Sequence, residues 1–161
     1  MTTDFVGGLA VVVLLLLLAR LVVPGLPPQS LAARLTPVDA GLAAAGIAGL
    51  VLHCASMFFE PVVSSFPGSA AVISQINSMG PASVIWYAVP SLLLLAGLRR
   101  HDTVVLAVLA VALLTVGVTM YNGAALWIHL DAVFAAGVVT AAILFLLVVP
   151  PWRTGPESLR R

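Results

Sequence analysis

The chain has 161 residues, of which 61% are hydrophobic and 8% charged, and its mean hydropathy is +1.17. A soluble domain carries about a quarter charged residues, so too little polar surface is present to cover a water-soluble globule, and a cytosolic enzyme is excluded. The formal net charge of +1 likewise excludes an electrostatic nucleic-acid binder, which needs clustered basic side chains.

A bilayer core about 30 Å thick needs roughly 20 apolar residues per helical crossing. On that measure the chain divides into five spans, near 5–23, 38–59, 82–98, 103–121 and 124–149. The first stops at Pro24-Gly25-Leu26-Pro27-Pro28, through which no helix continues. The second lies between Pro37 and Glu60-Pro61. The third contains Pro90, an expected kink, and the fifth is stopped by Pro150-Pro151. The first span is expected to be a retained anchor, because the residues before it are acidic and no small-residue cleavage site follows. The whole chain reads as one membrane domain.

All seven basic residues are arginines. Arg20 and Arg34 flank the first loop, Arg99 and Arg100 the third, and Arg153, Arg160 and Arg161 lie in the tail. Because positive charge collects on the cytoplasmic side, the N-terminus is expected outside and the C-terminus in the cytoplasm, in a cell inner (plasma) membrane. The outer loop 60–81 is the longest connection. Within it Ser69 is expected to cap a short interfacial helix with Val72, Ile73, Ile76 and Met79 on its apolar side. Trp86, Tyr87, Tyr121 and Trp127 are expected at the outer boundary and Trp152 at the inner one.

In the second span Gly41, Ala45, Gly49, His53 and Met57 recur every four residues. Small residues at that spacing let a neighbouring helix approach closely, so Gly41, Ala45 and Gly49 are expected to form a packing face that His53 continues. The fifth span opens with Trp127, His129 and Asp131. At 1.5 Å rise per residue, His53 lies roughly 10 Å below the outer end of its helix, and His129 and Asp131 lie at about 7 to 10 Å. An ionisable residue at that depth needs a partner, and a hydrogen bond from His53 to Asp131 is the natural expectation. His129 and Asp131 differ by about 200° around their helix. One of them therefore faces inward, and the other meets lipid or a partner chain.

His53, Met57, Met120 and His129 are also suitable ligand types for copper, and His53 and His129 for haem, with Cys54 nearby. No HxxxH or CxxC motif accompanies them, and no cofactor is the expected state. Asp39 in the first turn of the second helix complements the helix dipole, and Asp102 starts the fourth helix. Glu60 and His101 are expected to be solvated. Tyr121-Asn122-Gly123 reads as a tight turn. Enzyme signatures such as GxSxG, HExxH or a glycine-rich phosphate loop are missing.

The reading that follows is a small accessory or structural subunit of a larger membrane complex, respiratory, transport or envelope-building. His53, His129 and Asp131 would make interhelical or intersubunit polar contacts, and the partners would be other membrane subunits and the lipid bilayer. The alternatives are a haem- or copper-handling redox protein and a small transporter or lipid-handling protein.

Overall fold

The computed structural model describes residues 33–149 and, ahead of them, residues 7, 8, 10–12, 14–16 and 18, which are helical. The expected first span therefore lies largely outside the described residues, as do Arg20, Trp152, Arg153, Arg160 and Arg161. The architecture is helical throughout, apart from a two-residue parallel pairing of β1 (Ala33–Arg34) with β2 (Val148–Val149).

Helix α1 (Pro37–Phe58) starts where its local chemistry dictates. Thr36 holds an extended backbone ahead of Pro37, as a residue before proline prefers. Its Oγ1 accepts from the Asp39 amide and donates to Asp39 Oδ2 at 2.7 Å, a capping arrangement that satisfies an orphan N–H. The chain leaves the helix at Phe59, turns once through α2 (Glu60–Val63) and enters α3 (Ser69–Asn77). Gly68 is the N-cap of α3, with φ +80°, while the Ser69 hydroxyl donates backward to the Phe66 carbonyl. The expected Ser69 cap is thus replaced by a glycine that takes up the left-handed conformation. Ile73 and Ile76 are buried as expected, but Met79 is exposed at the corner beyond the helix.

Helix α4 (Pro81–Gly97) meets α3 at a bend of 103° and continues through Pro90. Helix α5 (Thr103–Tyr121) is capped by Asp102, whose carboxylate accepts from Val104 N at 2.8 Å. Asn122 and Gly123 (φ +71°) make the expected tight turn into α6 (Leu126–Ala142). The expected fifth span ends earlier than Val149. The helix loosens into a π-helical turn over Ile143–Leu147, and Val148–Val149 is extended. Val149 precedes Pro150, and a residue in that position is pushed out of the helical region.

Three helical stretches are long and apolar enough to cross a membrane, Pro37–Phe58, Thr103–Tyr121 and Leu126–Leu147, and the bent pair α3–α4 makes a fourth if it counts as one span. Consecutive long helices run side by side. Leu35, Ala43, Leu94, Leu98, Leu109, Leu113, Ile143 and Val148 form a core at the end of the bundle where the strands pair. Toward the other end Tyr87, Val116, Met120 and Ala136 form a second cluster, with Met57 against it.

Helices α1 and α4 are in backbone contact. A Cβ on Gly46 would lie 2.5 Å from Leu94 N, and one on Gly49 would lie 2.5 Å from Pro90 Cγ. Gly41 meets nothing within 4 Å among the described residues, and Ala45 is exposed. The packing face is therefore corrected from Gly41, Ala45 and Gly49 to Asp39, Ala43, Gly46, Gly49, His53 and Ser56. A strict four-residue step overshoots the 3.6-residue turn by about 40° each time. Only a stripe that mixes steps of three and four stays against the same neighbour.

Candidate functional site

The buried polar residues fall into two groups, one at each end of the bundle. At the strand-paired end is Asp39, fully buried, with Arg99 Nη2 at 2.7 Å from Oδ1 and Arg100 Nε at 2.8 Å from Oδ2. The arginines lie just beyond the end of α4, so two guanidinium groups close over the first turn of α1. Asp39 is thus more than a helix-dipole residue: it is the anchor for the α4–α5 loop. The same loop carries His101, which is 6% exposed, with Nδ1 3.1 Å from the Leu98 carbonyl. The expectation of a solvated His101 is corrected. The short connection between α4 and the Asp102 cap tucks its ring inward once Arg99 and Arg100 turn to Asp39.

The second group is the candidate site. His53 on α1 is 2% exposed, and its Nε2 lies 3.4 Å from Sδ of Met120 on α5. Its ring stands edge-on to Tyr87 on α4, with centroids 5.5 Å apart. The Tyr87 hydroxyl donates to the Leu113 carbonyl at 2.6 Å, so its proton is committed elsewhere and His53 Nδ1 has no hydrogen-bond partner. Tyr87 is accordingly an interior residue of the bundle. Above these, Tyr121 donates to Ser83 Oγ at 3.0 Å, and Trp86 Nε1 to Gln75 Oε1 at 2.9 Å.

His129 on α6 completes the group. It is 6% exposed, its ring lies 6.2 Å from that of Phe58, and its Nδ1 lies 3.1 Å from Thr119 Oγ1. The Thr119 hydroxyl donates to the Val116 carbonyl at 3.0 Å, so it acts as acceptor toward the imidazole. That assigns the proton of His129 to Nδ1 and leaves the lone pair on Nε2.

Of the residues singled out from the sequence, the structure brings together His53, Met120 and His129, with Met57 packed on the same cluster. It does not bring Asp131 to them. His129 faces inward, and Asp131, two residues on, is exposed with no hydrogen-bond or ion-pair partner among the described residues. The expected His53–Asp131 hydrogen bond is replaced by the contact of His53 with Met120. Cys54, beside His53, is partly buried and reduced. Glu60 is exposed, with Oε2 accepting from Asn77 Nδ2 at 3.4 Å. Among the described residues no three His, Cys, Asp or Glu side chains converge as a metal-binding group.

Tyr87, Thr119, Ser83 and the Arg99–Arg100 pair are the contributors that sequence reasoning missed. Thr119 and Ser83 carry no local signal, since a hydroxyl in an apolar helix usually bonds its own backbone. Comparison with protein-family models, with curated proteins and with solved structures finds no match for this chain.

Proposed function

We propose that the chain is a five-span accessory subunit of a larger inner-membrane assembly, with its N-terminus outside, its C-terminus in the cytoplasm, and α3 lying along the outer interface. The observation that carries this reading is Asp131. It sits on α6, a helix apolar enough to cross a membrane, roughly 7 Å from the helix start at 1.5 Å per residue, and its carboxylate faces away from the bundle. An aspartate facing hydrocarbon costs about 2.5–3.5 kcal/mol at mid-helix and less toward the interface. A polar or basic group on a neighbouring subunit would remove that cost. Leu126, Trp127 and Ile128 on the first turn of α6 are exposed as well, which supplies an apolar surround for such a contact.

The test is to purify the tagged chain in mild detergent from its own membrane, as wild type and as Asp131→Leu. A stoichiometric membrane subunit retained by the wild type and lost from the variant is the expected result. Recovery of the wild type alone and monodisperse overturns the reading. A reporter fused after Arg161 tests the orientation, and activity of that reporter only outside the cell would reverse it.

A further inference from the structure

We propose that His53 Nε2 and Met120 Sδ are the paired ligands of a buried site for a soft monovalent cation, cuprous ion by chemical class. The inference stands apart from the subunit reading, since it concerns the interior of the bundle and not its outer face.

The geometry around His53 leaves few other uses for it. The ring is 2% exposed, and among the described residues the polar atom at hydrogen-bond distance from Nε2 is a thioether sulfur. A buried polar group normally finds a good partner, and a thioether is a weak acceptor. A d10 ion makes bonds of about 2.0 Å to imidazole nitrogen and about 2.3 Å to sulfur. Across an N···S separation of 3.4 Å, those lengths subtend roughly 105°, the angle between two ligands of a three- or four-coordinate centre. The N···S separation is thus one that such an ion would span.

The identity of the ion follows from charge and softness. Histidine nitrogen and methionine sulfur are both neutral, and thioether and imidazole donors together suit Cu(I). Among the described residues no carboxylate joins them, so a dication would bring two uncompensated charges into the bundle, whereas a monocation brings one. Met57, one helical turn from His53 on α1, packs against the same cluster as Met120 and supplies a further thioether.

The experiment uses the full-length chain in detergent with Ag(I) as a redox-inert probe, in a Cys54→Ser background so that the thiol cannot hold silver. The expected result is one Ag(I) retained per chain after desalting. Affinity should fall roughly a hundredfold or more in Met120→Leu and in His53→Gln, each of which removes one of the two ligands. Met120→Leu conserves volume and keeps the fold; circular dichroism and elution volume verify this for each variant. A second readout is the Met120 methyl resonance, which should shift on addition of Ag(I). No retained silver, equal retention by Met120→Leu, or an unshifted Met120 methyl overturns the proposal.

Discussion

Gly97 faces the first turn of α1 so closely that a methyl group on it would lie 2.6 Å from the Asp39 carbonyl oxygen and 2.5 Å from the Ala43 amide nitrogen. Both atoms are backbone, so neither can swing aside as a side chain would. Overpacking of this kind costs about 1–3 kcal/mol and occasionally more, and Gly97→Ala should reach the upper part of that range. Gly41→Ala, with open space around it, should hold stability or raise it by up to about 1 kcal/mol, since alanine is the better helix former. Unfolding of both variants in mixed micelles, compared with wild type, checks the pair.

The Asp39 clasp gives a second expectation. Removing its charge leaves Arg99 and Arg100 without their shared anion, and one amide oxygen must serve where two carboxylate oxygens accepted from Arg99, Arg100 and Thr36. Asp39→Asn should therefore lower the unfolding temperature more than Arg99→Gln or Arg100→Gln alone, because each single arginine variant leaves the other guanidinium in place. A ranking in which either arginine variant is the most damaging would contradict the arrangement.

Tyr87→Phe removes one buried hydrogen bond, to the Leu113 carbonyl. That carbonyl lies within a helix and can keep its second lone pair engaged along the backbone. The loss should stay near about 0.5–1.5 kcal/mol, with the Tyr87–His53 ring contact intact. Thermal unfolding measures the first part, and the His53 ring-proton shifts report the second.

Thr119→Val keeps the shape of the side chain and deletes the acceptor for His129. The imidazole then loses the bond that fixes its proton on Nδ1. The ¹⁵N shifts of His129 should move from a single Nδ1–H form in wild type toward a mixture of tautomers in the variant. Unchanged shifts would mean that another group sets the proton.

Much of the helical layout is legible in the sequence because its signals are local. Asp102 before an apolar run marks the start of α5 at Thr103, and Asn122-Gly123 marks its end. Thr36-Pro37 marks the start of α1 in the same way, through a proline-compatible first turn and a hydroxyl placed to cap it. Long-range pairing is different. Nothing near Asp39 announces that residues sixty positions away will close over it, because the contact exists only once α1 and α4 lie antiparallel. The glycine face was misplaced for a related reason. Gly41, Ala45 and Gly49 are evenly spaced in sequence, but each four-residue step turns by about 40°, so of the three only Gly49 lies against α4, and Gly46, outside the series, takes the position against Leu94. For the candidate site, His53 and His129 stand out as rare polar residues, while Met120 and Thr119 look like ordinary members of an apolar helix until the fold sets them beside the two imidazoles.

The pairing of Ala33–Arg34 with Val148–Val149 joins the strand that leads into α1 to the one that leaves α6, two segments more than a hundred residues apart. Together with the Asp39 clasp at the same end, it means that α1, α4 and α6 are fastened by backbone hydrogen bonds and full charges at one end of the bundle. At the opposite end His53 meets Met120 through a ring nitrogen against a sulfur, Thr119 meets His129, and Val116 packs with Ala136 beside the short turn that joins α5 to α6. The two ends of the bundle are therefore held by different chemistry: full charges and backbone pairing around Asp39, and neutral, soft contacts around His53.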